Sequence, residues 1–300
     1  MARVAIVGVG AIGSVLAALL AVTGRHQITL CTRRPMDRLT VNTPEGVTDV
    51  EAANLTDPGL AEAVDWVLVA TKTFDAASAA AWLPALCAQG ARVAVVQNGV
   101  EHRERFAPYV RQELILPVII DCQVERCTDG RVWQRGDAHM YIETGAAGSG
   151  FAQLFTGSKA DVQLTEDFLT AAWRKLAFNS AGVVCALTCE PSGVLHDGEL
   201  GSLAIGIAAE CIAVALAEGA KLDEGVARLV LDGYRSQPTD SVNSMLADRL
   251  AGRSMEIDAR NGVIVRKGDQ HGIPTPLNRM AVALLKKMKK MERDSQNPTN

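Results

Sequence analysis

The chain has 300 residues, 48% of them hydrophobic and 21% charged, which is enough apolar material for two folded domains and too much for a disordered chain. A formal net charge of −4 argues against nucleic acid or an anionic membrane as a partner held by bulk electrostatics, so any phosphate must be bound locally. The seven cysteines (Cys31, Cys87, Cys122, Cys127, Cys185, Cys189 and Cys211) are scattered with no CxxC pair, so they read as reduced thiols of a cytoplasmic protein with no metal site.

The first element met in chain order is an uncharged stretch, Val4 to Gly24, apolar enough to raise the question of a signal peptide or anchor. Gly8, Gly10 and Gly13 interrupt it, and no other stretch reads as long enough to span a bilayer, so no membrane partner is expected. Short β-branched runs then alternate with Ala/Leu-rich segments: Val4–Val7, Gln27–Cys31, Trp66–Ala70, Arg92–Gln97 and Leu114–Ile120 as strands, with helices between several of them. This alternation predicts an α/β domain over residues 1–164, built on a mostly parallel sheet. Val124–Arg126 and Arg131–Gln134 read as a hairpin turning at Asp129-Gly130, and with His139–Thr144 they predict an antiparallel extension of the sheet. From about residue 165 the apolar spacing becomes helical, over Asp167–Cys189, Glu199–Ala220, Asp223–Tyr234, Ser241–Ala251, Glu256–Gln270 and Pro276–Met291. Residues 165–300 are therefore expected to form an all-helical domain, with Gly272 as a C-cap and Thr275-Pro276 opening the last helix.

Gly8-Val9-Gly10-Ala11-Ile12-Gly13 follows a strand and opens a helix, which is the setting of a Rossmann-type dinucleotide fingerprint. The first glycine permits a tight turn, the second lets a pyrophosphate approach the backbone, and the third lets helix and strand pack closely. Where an NAD site would place an acid after the second strand, this chain has Arg33 and Arg34, whose guanidinium groups suit a 2′-phosphate, so NADP is the expected cofactor. Further on, Lys175 and Asn179 are four apart in an apolar helical stretch. Partial desolvation there would lower the lysine's pKa towards that of a useful general acid, whereas a lone lysine otherwise snorkels to solvent.

Several blocks in order, Gly8–Gly13, Asp65–Lys72, Gln97–Val100, Trp173–Asn179, Ser244–Leu246, Glu256–Asp258 with Asn261-Gly262, and His271–Pro276, together resemble the ketopantoate reductase (2-dehydropantoate 2-reductase) family. The resemblance implies reduction of a small-molecule 2-oxo acid by NADPH, with Lys175 as general acid and Glu256 orienting the lysine and the substrate. It implies substrate contacts from Asn98, Asn179 and Ser244, and cofactor contacts from Gly8, Gly10, Ala11, Ile12, Gly13, Arg33, Lys72 and Asn98. It also implies a homodimer. Apart from the resemblance, Glu256 reads as an i,i+4 ion-pair partner of Arg260, and Ser244 as a solvated helix position.

Two positions depart from the family. Val183 stands where a second asparagine is usual, one turn beyond Asn179, and Pro117-Val118-Ile119 replaces a Gly-Thr-type segment. A valine facing the substrate points to a different or less polar 2-oxo acid or ketone. That reading, and a catalytically silent NADP-binding regulator, are the alternatives to ketopantoate reduction.

Overall fold

The structure, a computed structural model, describes residues 1–127 and 130–296, the last eight of these by their backbone. The chain divides into two units, one of Met1–Gln97 with Glu101–Phe168, the other of Asn98–Val100 with Leu169–Asn300.

Among the described residues the first unit has twelve strands: β1 (Ala2–Val7), β2 (His26–Cys31), β3 (Leu39–Thr43), β4 (Gly46–Val50), β5 (Ala53–Leu55), β6 (Trp66–Val69), β7 (Arg92–Val95), β8 (Ile115–Asp121), β9 (Val124–Arg126), β10 (Val132–Gln134), β11 (His139–Glu143) and β12 (Asp161–Thr165). Its helices are α1 (Ala11–Ala21), α2 (Ala76–Ala80), α3 (Leu83–Leu86), α4 (His102–Phe106) and α5 (Ala146–Leu154). Eight strands form one sheet in the order β12-β11-β8-β7-β6-β1-β2-β5, parallel throughout except where β11 runs against β8.

The long sheet is covered on both faces, which explains its unbroken apolar runs. Val4, Ile6, Trp66 and Leu68 face one side, and Ala5, Val7, Val67 and Val69 the other, against Trp82, Leu83, Leu86 and Phe106. The order reverses at β1, because β2 lies on one flank and β6 on the other. Ligands of such sheets bind at this point, beyond the carboxyl ends of the strands.

The hairpin of β9 and β10 forms as expected, Val132 opposite Arg126, although Asp129 of its turn lies outside the described residues. It does not extend the main sheet. It joins β3 and β4 in a second sheet of order β4-β3-β10-β9, whose Leu39, Val41, Val50 and Val132 pack on α1. The antiparallel extension of the main sheet is β11 with the edge strand β12, which runs parallel to β11 and so against the other six strands. With a sheet on either side, every residue of α1 from Gly13 to Leu20 is buried.

The second unit is helical: α6 (Phe168–Ala181), α7 (Val183–Thr188), α8 (Gly198–Ala217), α9 (Val226–Arg235), α10 (Ser244–Leu250), a π-helical turn (Asp258–Gly262) running into α11 (Val263–His271), and α12 (Pro276–Gln296). Gly272 ends α11 in the left-handed conformation, as expected. Contrary to the sequence reading, α8 is long and apolar enough to cross a membrane by length and composition. Here it is a central core helix, burying Ala204, Ile207, Ala208, Cys211 and Ile212, while Glu210 accepts hydrogen bonds from the Leu277 and Asn278 backbone N–H groups at the start of α12.

A single helix over Asp167–Cys189 does not form. The ladder breaks at Gly182, where a Cβ would collide with the Tyr234 hydroxyl and lie 2.9 Å from Asn243 Nδ2. Tyr234 Oη donates to the Phe178 carbonyl (3.1 Å), and Asn243 Nδ2 to the Gly182 carbonyl (3.0 Å). Side chains inserted into the i→i−4 ladder are an ordinary cause of such breaks.

Candidate active site

In the first unit the glycine loop follows from backbone geometry. Gly8 has φ +94°, and a Cβ there would lie 2.7 Å from Thr71 N, so a side chain is barred twice over. A Cβ at Gly13 would lie 3.1 Å from the Gly8 carbonyl carbon and closer still to its oxygen. Gly10 differs, since nothing comes within 4 Å of the Cβ it lacks. The loop thus packs tightly through its first and third glycines and leaves open space at the second. It opens α1, whose first N–H groups have no side-chain cap. A dinucleotide pyrophosphate fits such a cradle.

Arg33 stands beyond the end of β2 with 82% of its side chain exposed, 3.8 Å from the Asp75 carboxylate. Lys72 follows the end of β6, just ahead of a turn at Thr73–Asp75. Gln97 Nε2 donates to the Thr71 carbonyl and hydroxyl, both at 3.0 Å, and His102 Nε2 bonds the Gln97 carbonyl (2.8 Å). Burial pushes His102 down to about 4, so the ring is neutral at physiological pH and donates to Gln97. The sequence reading missed Arg126. From β9 its Nη1 donates to the Val9 carbonyl (2.9 Å), setting a guanidinium against the glycine loop. An exposed arginine in a hairpin carries no signal of this in the sequence.

The second unit gathers the remaining site residues. Lys175 and Asn179 are half-buried on one face of α6, among the buried Trp173, Leu176 and Ala177. Two amide side chains tie neighbouring elements to this helix: Asn261 Nδ2 donates to the Ser180 carbonyl (3.2 Å), and Asn243 Nδ2 to the Gly182 carbonyl. Asn261 lies in the π-helical turn, while Asn243 caps α10 by accepting from Met245 N and Leu246 N, which fixes Ser244 as that helix's first residue. Asn98 Nδ2 donates to Glu256 Oε2 (2.9 Å), and a Cβ at Gly99 would lie 2.8 Å from the Ala259 carbonyl, so the 98–100 segment is seated on the π-helical turn. The structure therefore unites Asn98 with Glu256 and anchors the elements bearing Ser244 and Glu256 to the helix of Lys175 and Asn179.

Two expectations change. Arg260 makes no i,i+4 pair with Glu256; its Nη2 donates to Ser244 Oγ at 2.6 Å. Val183, expected beside the substrate, lies beyond the break at Gly182 with 0% exposure, in the apolar core with Val184, Cys185 and Ala186. Among the described residues no cluster of His, Cys, Asp or Glu could hold a metal ion.

The family models described as "Ketopantoate reductase PanE/ApbA" and its C-terminal counterpart match residues 4–164 and 167–289. A 2-dehydropantoate 2-reductase of Caulobacter vibrioides is 45% identical over 285 residues, covering 95% of this chain and 98% of the relative. Among solved structures, a PanE/ApbA family ketopantoate reductase from Ralstonia eutropha superposes with a TM-score of 0.88 at 32% identity, covering 97% of this chain and 99% of that one. A dimeric ketopantoate reductase from Staphylococcus aureus shares the fold, with a TM-score of 0.86 at 22% identity over 97% of this chain and 99% of its own. With the glycine cradle of one unit and the lysine, asparagine and glutamate set of the other, these matches show that the chain belongs to the ketopantoate reductase family.

Proposed function

We propose that this protein reduces 2-dehydropantoate to pantoate with NADPH, the step for which its relatives are named and one that serves pantothenate biosynthesis. The observation that supports this reading is that Asn98 is bonded to Glu256 while Asn261 and Asn243 tie the elements bearing Glu256 and Ser244 to the end of α6, the helix of Lys175 and Asn179, in a chain that keeps an open glycine cradle. NADPH, when bound, supplies hydride to the carbonyl carbon. The glycine loop receives its pyrophosphate, Arg33 its 2′-phosphate, and Lys72 lies near its reactive end. Lys175 Nζ donates a proton to the ketone oxygen as negative charge develops there, which removes the cost of forming an isolated alkoxide. Glu256 orients the lysine and fixes the Asn98 amide, while Asn179 and Ser244 hold the substrate.

Val183 is left out of the substrate set because its side chain is enclosed in the core, and the argument for a less polar substrate goes with it. A non-catalytic NADP-binding role has no use for the general acid Lys175 and its partner Glu256. We also assign the protein to the cytoplasm and to a homodimer, in line with the dimeric relative from Staphylococcus aureus. The test is NADPH consumption with a panel of 2-oxo acids, for wild type and Lys175→Ala. Ketopantoate should be the best substrate, and the variant should lose turnover by ~100-fold or more while binding NADPH normally. Full turnover in Lys175→Ala, or no preference for ketopantoate, would refute the assignment.

A further inference from the structure

Arg260 is a cation without a task in the reaction as described. Its side chain is 3% exposed, and among the described residues no carboxylate pairs with it. Nη2 reaches Ser244 Oγ, and Nε is buried with no hydrogen-bond partner. Holding a guanidinium away from water with no counter-charge is unfavourable, and an anion arriving beside it would relieve that cost.

Ser244 marks where that anion would arrive. It is exposed, and its oxygen already accepts from Arg260, so its own proton is left to donate outward. A hydroxyl that accepts from a guanidinium is polarised into a better donor, and positive charge behind it favours a negative ligand. The neighbouring acid does not cancel the effect at this point, since Glu256 turns its Oε2 to the Asn98 amide. Arg260 lies in the π-helical turn, a geometry that recurs at functional sites.

We propose that Arg260, through Ser244, receives the carboxylate of the substrate and makes the enzyme selective for 2-oxo acids over neutral 2-oxo esters and ketones. Arg260 is thereby a positioning and specificity residue. The proposal rests on the 2-oxo acid reductase reading above.

The test compares kcat/KM for ketopantoate and for its methyl ester in wild type, Arg260→Gln and Arg260→Lys, with NADPH binding followed by nucleotide fluorescence and folding by thermal melting. The acid-to-ester ratio should fall by ~10–100-fold in Arg260→Gln, mainly through KM for the acid. In Arg260→Lys, which keeps the charge without the planar fork, it should fall by ~3–10-fold. NADPH affinity should stay within about twofold, because no part of the cofactor needs this charge. Equal losses on acid and ester, or a ratio within twofold of wild type in either folded variant, would overturn the proposal. A wild type that reduces neither compound would instead overturn the functional assignment beneath it.

Discussion

The three glycines of the loop should respond differently to one added methyl group, and Gly10→Ala is the sharpest case. Gly10 has φ −83°, a conformation alanine adopts freely, and nothing lies within 4 Å of the new Cβ. A Gly→Ala change at such a backbone gains ~0.4–1 kcal/mol by restricting the unfolded chain, while alanine at an N-cap costs a comparable amount. Folding stability should therefore change by less than ~1 kcal/mol, a melting shift of at most about 4 °C. The methyl group occupies the space through which a pyrophosphate approaches the backbone, so the loss falls on the ligand. Losing one or two charge-assisted hydrogen bonds, ~1.5–3 kcal/mol each, weakens NADPH binding by roughly 10- to 100-fold or more. Gly13→Ala reverses the pattern. Its Cβ is driven against the Gly8 carbonyl, so α1 or β1 must shift, at a cost of ~1–3 kcal/mol or more in stability. Calorimetric titration of NADPH and thermal melting on both variants check this. A Gly10→Ala protein that binds NADPH as wild type does, or melts as early as Gly13→Ala, would refute the division of labour.

Arg33→Ala should raise KM for NADPH at least tenfold and leave KM for NADH nearly unchanged, because only NADPH offers a 2′-phosphate to the exposed guanidinium; steady-state kinetics with both cofactors decides it. Val183→Asn should melt several degrees earlier, losing ~1–3 kcal/mol to a buried, unsatisfied amide, with no change in preference among 2-oxo acids; improved ketopantoate turnover would place the side chain at the substrate after all. His102 is held at about 4 against an ordinary 6.5, so the unfolded chain binds a proton that the folded protein refuses. Its contribution, ~3 kcal/mol, is complete above pH 6.5 and is lost as pH falls towards 4. His102→Gln should flatten this part of the melting-temperature profile, and an unchanged slope between pH 6.5 and 4 would assign the acid sensitivity to other groups.

What the sequence could and could not disclose follows from how far apart the determining residues lie. The glycine fingerprint and strands β1, β2, β6, β7 and β8 were legible because their causes are local, a turn geometry or a run of residues buried on both faces. The second sheet was legible only as its β9–β10 hairpin. Strands β3 and β4 are short and partly exposed, and what joins their hairpin to the other is the pairing of β3 with β10, some ninety residues on, with α1 behind it. The break at Gly182 has the same character. A glycine in an Ala/Val-rich run reads as a tolerated helix position, and the groups that open the ladder belong to Tyr234 and Asn243.

Arg260 shows a different limit, because there the periodicity itself misled. Four residues from Glu256, it falls where an α-helix would form an ion pair. Glu256 stands just ahead of the helix, and the backbone that follows is a π-helical turn from Asp258 to Gly262, so the two residues are not the neighbours that the α-helical rule assumes. The guanidinium is delivered to Ser244, and the carboxylate is left to Asn98. One change of helical register thus separates two charges that would have neutralised each other, and each then serves a polar group of the candidate site. An α-helical path over the same residues would have joined the acid to the base and left Ser244 as the plain solvated hydroxyl that its place in the sequence describes.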